Sequence, residues 1–100
     1  LAVALCIVGV VASERAVSKS HTITIEGMRF QPQTLTVSRG DTIVWVNKDL
    51  VPHTATSKAG AFDSPTIQAD ESWKYTAGTT GEFAYICAFH PAMTATLRVQ

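Results

Sequence analysis

The sequence predicts an all-β domain, a sandwich or barrel of short antiparallel strands. Three observations carry this. From His21 onward, apolar residues alternate with polar ones at period two. Turn residues interrupt these runs at intervals of about 8–12 residues. No stretch shows the repeat of a helix of normal length.

Each element follows from its own residues. His21-Thr22-Ile23-Thr24-Ile25-Glu26 puts its isoleucines on one face and its polar residues on the other. Thr34-Leu35-Thr36-Val37 alternates again and stops at the turn Arg39-Gly40-Asp41. Thr42-Ile43-Val44-Trp45-Val46 is β-branched, aromatic and apolar on both faces, as a central strand requires. Asn47-Lys48-Asp49 breaks it. Ser72 to Thr76 places Trp73 and Tyr75 on one face, and Ala77-Gly78-Thr79-Thr80-Gly81 turns the chain. Glu82 to Cys87 is the next strand and Thr94 to Val99 the last. Trp45, Trp73, Phe83 and Tyr85 are expected in the core, and Met28 in the core or on its rim. His21 is expected on the surface, and Asn47 as an ordinary turn former.

The chain has 100 residues, enough for one small domain. Hydrophobic residues are 46% and charged residues 16%, a balance that suits a packed core rather than disorder. Eight basic residues cancel eight acidic ones, so there is no basic footprint for nucleic acid. Leu1 to Ala12 is apolar throughout and gives way to Ser13-Glu14-Arg15. It has the character of the back half of a signal peptide, with small residues before a cleavage point after Ala12. An uncleaved membrane anchor is the alternative, although 12 apolar residues fall short of the roughly 20 that span a bilayer. The expected organisation is therefore a leader over 1–12, a flexible segment over 13–20 and one domain over 21–100. The domain is expected to be exported to the periplasm or a similar extracytoplasmic space, with no stable membrane insertion after cleavage. Cys6 belongs to the leader, leaving Cys87 as the single thiol of the domain. A lone thiol in an oxidising compartment is protected by burial or by ligation.

The run Cys87-Ala88-Phe89-His90-Pro91-Ala92-Met93 supplies a thiolate, an imidazole and a thioether within one loop between two strands. His53, from the loop Asp49 to Ser57, adds a second imidazole. Each of these residues alone is more often structural than functional. Together they are the ligand set of a mononuclear blue-copper site. The soft sulfur ligands suit Cu(I) and the imidazoles suit both oxidation states. Pro91 stiffens the loop directly after His90, and Pro52 restricts the approach to His53. A dinuclear copper centre would need a second thiolate in this loop. A structural zinc site is disfavoured because thioethers bind zinc poorly. Hydrolysis by Cys87 would need an orienting Asn or Asp at a recognisable spacing, and none is present.

The chain resembles the cupredoxins, and within them the plastocyanin and amicyanin type. The resemblance lies in Cys87-x2-His90-Pro91-x-Met93, in Gly40 to Asn47, in Pro52 to Ser57, in Phe62-Asp63-Ser64 and in Gly81 to Cys87, and it covers about residues 21–99. It implies an eight-stranded Greek-key sandwich. It also implies one type 1 copper ion, with His53, Cys87 and His90 as the trigonal set and Met93 as the weak axial ligand. The implied function is single-electron transfer between redox proteins that dock transiently at the exposed edge of His90, by a monomer that is not an enzyme. An apolar collar of Val51, Pro52, Phe89, Pro91 and Ala92 is expected around that edge. One departure stands out: Thr54 follows the first ligand His where several cupredoxins carry Asn. Its hydroxyl can still tie the two ligand loops together. The alternative function is a copper carrier that hands over Cu(I) and plays no part in electron transport.

Overall fold

A computed structural model describes residues 17–100. The leader proposed for residues 1–12, Cys6 within it and the start of the segment 13–20 lie outside the described residues. Eight strands make two four-stranded sheets, and no helix occurs among the described residues.

The first sheet holds β1 (Ser20–Ile25), β2 (Phe30–Gln31), β4 (Thr42–Asn47) and β6 (Ser72–Thr76), in the order β2-β1-β4-β6. The second holds β3 (Thr34–Val37), β5 (Thr56–Ser57), β7 (Gly81–Cys87) and β8 (His90–Val99), in the order β3-β8-β7-β5. The expected central strand is β4, paired on both sides. The pairing is not purely antiparallel as expected: β1 runs parallel to β4, and β3 runs parallel to β8. The chain crosses between sheets at β2 to β3 and again at β3 to β4. Strands separated by such a crossover can return in the same direction.

Alternation decides which side of each strand is buried. On β1, Ile23 and Ile25 face the core; on β4, Ile43, Trp45 and Asn47 do; on β7, Tyr85 and Cys87 do. The core is rich in rings. Trp45 packs on Phe62, Trp73 and Tyr85 at centroid distances of 5.5, 5.5 and 5.7 Å. Its indole N–H donates to the Tyr85 hydroxyl at 3.3 Å, satisfying a donor that burial would otherwise orphan. Trp73 and Phe83, expected in the core, are half-buried at its margin.

Three single residues sit otherwise than expected. His21 is half-buried and bonded to Asp41 at 2.9 Å, not a free surface residue. Asp41 also accepts from the backbone N–H groups of Lys19 and Ser38, so one carboxylate fastens the start of β1 to the turn before β4. Met28 is exposed, because it occupies a two-residue turn between β1 and β2 whose backbone directs its side chain outward. Asn47 is fully buried rather than an ordinary turn former.

Candidate metal centre

The potential ligands come from two loops at one end of the sandwich. Asn47 builds the first. Its amide donates to the carbonyls of Val51 and Ile67, both at 2.9 Å, and its side-chain oxygen accepts from the Asp49 N–H at 2.9 Å. A buried amide satisfied in this way pins the segment from Asp49 to His53 to the end of β4. His53 is then held through its backbone, which exchanges hydrogen bonds with Ile67 in both directions. The ring is fully buried.

The second loop is a distortion within a hairpin. Ile86 pairs with Thr94, whereas Cys87 pairs with His90. One step along β7 therefore corresponds to four along β8, and Pro91, Ala92 and Met93 are the extra residues. The last strand begins at His90, not at Thr94 as expected, with this bulge inside it. Extra residues bend a strand and re-aim its side chains. Here Cys87 and Met93 are both buried and His90 is half-buried at the rim.

His53, Cys87 and His90 offer ligand atoms that all lie within 4.8 Å of one another. The Cys87 Sγ lies 3.5 Å from His53 Nδ1 and 3.6 Å from His90 Nδ1. Each of these nitrogens can trade a proton with the sulfur or offer it a lone pair, and a single cation placed between the three donors would engage all of them at once. The spacing fits. A transition ion about 2.3 Å from sulfur and about 2.0–2.1 Å from nitrogen, at near-tetrahedral angles, separates the donors by roughly 3.5–3.6 Å. Met93 is the fourth residue that the sequence singles out, and it lies buried at the base of the same loop, beside an open groove lined also by Met28 and Phe30.

Surrounding hydrogen bonds hold the donors in place. The Thr54 N–H points at Cys87 Sγ at 3.4 Å, and the Thr54 hydroxyl accepts from the Ala88 N–H at 2.8 Å. The hydroxyl thus joins the two ligand loops, the role expected of it. Sequence reasoning missed Asp49, whose carboxylate lies 2.8 Å from His53 Nε2. It also accepts from the N–H groups of Gly27 and Met28 at 2.8 and 3.0 Å. Burial works against its charge, but the hydrogen bonds from Met28, His53 and Gly27 outweigh it and hold the carboxyl below its ordinary value. The available signal was an acid four residues before the candidate ligand His53 on one short loop. The turn that completes its partners lies 21 and 22 residues away and carried no signal of its own.

Comparison with known proteins agrees with this geometry. A family model for the cupredoxin-like domain matches residues 1–99. Amicyanin of Paracoccus versutus is 29% identical over 83 residues, which cover 78% of this chain and 63% of that protein. The amicyanin of Paracoccus denitrificans is matched over the same 63% of its length. Amicyanin-alpha of Methylorubrum extorquens is 24% identical over 94 residues, covering 89% of this chain and 79% of that protein. Among solved structures, an oxidised amicyanin variant superposes with a TM-score of 0.77 at 26% identity, covering 81% of this chain and 82% of the other. A copper-containing nitrite reductase from Thermus scotoductus superposes with a TM-score of 0.76 at 28% identity, covering 81% of this chain but 22% of that one. With the two-sheet fold, the converging ligand atoms and a family match along almost its whole length, the chain belongs to the cupredoxin-like family.

Proposed function

We propose that this protein holds one copper ion through His53, Cys87, His90 and Met93 and carries single electrons between redox proteins. The observation that carries the reading is the convergence of two imidazole nitrogens on one buried sulfur at 3.5 and 3.6 Å. The soft sulfur atoms of Cys87 and Met93 favour copper over the harder ions. Bound copper supplies a one-electron couple between Cu(I) and Cu(II). The protein's own part is to keep the donors still. Pro91 and Pro52, the Asn47 amide and the Thr54 bridge all resist movement, which keeps the reorganisation cost of each transfer small. A site with His53 and Cys87 fully buried favours retention of the ion over handing it to another protein.

Partners are proposed to dock over His90. Leu50, Val51 and Phe89 are exposed to 95%, 42% and 51%, and Pro52, Pro91 and Ala92 are exposed beside them. This apolar patch suits a small, transient redox complex. Leu50, the most exposed of the set, enlarges the collar expected from the sequence. The protein is proposed to work as an exported monomer without substrate chemistry of its own, the apolar run Leu1–Ala12 serving as its leader.

The test is to add Cu(II) to the purified protein and record visible absorption and EPR spectra. An intense blue thiolate-to-copper band with narrow hyperfine splitting is expected, both abolished in Cys87→Ala. A pale, ordinary Cu(II) spectrum or sub-stoichiometric binding would overturn the electron-transfer reading.

A further inference from the structure

We propose that Asp49 is a positioning residue for the metal centre. It fixes the His53 proton on Nε2, leaves Nδ1 bare toward Cys87, and lowers the reduction potential of the bound ion by placing negative charge behind that imidazole. The inference rests on the copper reading above for its redox part, but not for its proton part.

Asp49 Oδ2 lies 2.8 Å from His53 Nε2, and a carboxylate can only accept there, so the ring donates from Nε2. In a neutral imidazole the other nitrogen then has a free lone pair. That nitrogen, Nδ1, is the one that lies 3.5 Å from the Cys87 sulfur. The carboxylate is itself held from behind. Gly27 and Met28 have φ of 63° and 60°, successive left-handed residues in a turn closed by Glu26 N–H to Arg29 O at 3.1 Å. The N–H groups of both residues donate to Asp49, Gly27 to Oδ1 and Met28 to Oδ2. Paired amides of this kind form a concave anion seat. The Asp49 backbone is fixed in turn by Asn47. A relay therefore runs from the β1–β2 turn through Asp49 to a buried ligand ring. A carboxylate behind a ligating imidazole makes it a stronger donor, which favours the higher oxidation state of the ion.

Asp49 could instead serve only to fasten the turn to the loop, and the experiment separates the two roles. Asp49→Glu keeps the charge, Asp49→Asn keeps an acceptor without the charge, and Asp49→Ala removes both. Ring 15N shifts of His53 are read in the copper-free full-length chain, and reduction potentials by voltammetry in the copper-loaded chain. The wild type should show a protonated Nε2 and a bare Nδ1, retained in Asp49→Asn and mixed in Asp49→Ala. The potential should rise in Asp49→Asn and Asp49→Ala and return toward wild type in Asp49→Glu. An unchanged tautomer in Asp49→Ala, or an unchanged potential in both neutral variants, overturns the proposal even if their stability falls. If Asp49→Ala does not fold, the comparison of Asp49→Asn with Asp49→Glu decides it. A wild-type chain that gives no blue band would sink the copper reading, and the nitrogen shifts of the copper-free chain would still decide the relay.

Discussion

Individual polar side chains, each bonded on several sides, set the geometry of this centre. Thr54 shows how. Its hydroxyl accepts from Ala88 N–H at 2.8 Å and contacts the Thr56 hydroxyl at 2.9 Å, while its own N–H faces the Cys87 sulfur. Thr54→Val keeps the shape and removes the hydroxyl, so the Ala88 donor loses its partner. The expected cost is about 1–3 kcal/mol, read as a lower urea midpoint of the copper-free protein, with Thr54→Ser recovering most of it. At this scale the sequence singled out the side chains whose donor atoms converge, but not their supports. His53, Cys87 and His90 were legible because their chemistry is rare in combination. Asn47 and Asp49 were not, because an Asn and an Asp after a strand usually mean a turn. Only the tertiary fold shows that Asn47 is buried and that Asp49 faces a ring nitrogen.

The strands were readable because burial follows the alternation of side chains. On β4, Ile43 is fully buried while Val44, on the opposite face, is half-buried across from Lys74. Ile43→Ala should therefore cost about 2–5 kcal/mol through lost burial and the cavity left behind. Val44→Thr should cost less than about 1 kcal/mol, as a change near the surface. Denaturant midpoints of the two variants check the assignment, and equal losses would contradict the observed facing of β4. Parallel pairing of β1 with β4 and of β3 with β8 was not legible, because alternation reveals which face is buried but not which strand lies alongside. The early start of β8 escaped for a related reason. Its first residues include His90, Pro91 and Met93, which interrupt the alternating pattern even though the backbone stays extended.

For the molecule as a whole, the end bearing His21 and Asp41 contributes to behaviour in acid. The Lys19 N–H, then His21, then the Ser38 N–H hold the Asp41 carboxyl down at about 2 from an ordinary 3.8, against a smaller opposing effect of burial. A carboxyl that is more acidic when folded stabilises the fold above its unfolded value and loses that contribution as the pH falls through its folded one. Wild-type thermal midpoints should therefore fall between about pH 4 and pH 2. Asp41→Asn should start lower at neutral pH and show a shallower decline across that window. Parallel curves for the two proteins would refute the role given to Asp41. This clasp sits at the start of β4, whereas the loops bearing His53 and Cys87 lie at the other end of that strand. The bulge at Pro91–Met93 has a consequence for descent. Above it, Cys87 and His90 form one rung; below it, residues 81–86 and 94–99 keep an unbroken ladder. Residues gained or lost inside the bulge shift none of those rungs, so the span between the second imidazole and the thioether can vary between lineages while the sandwich beneath stays the same.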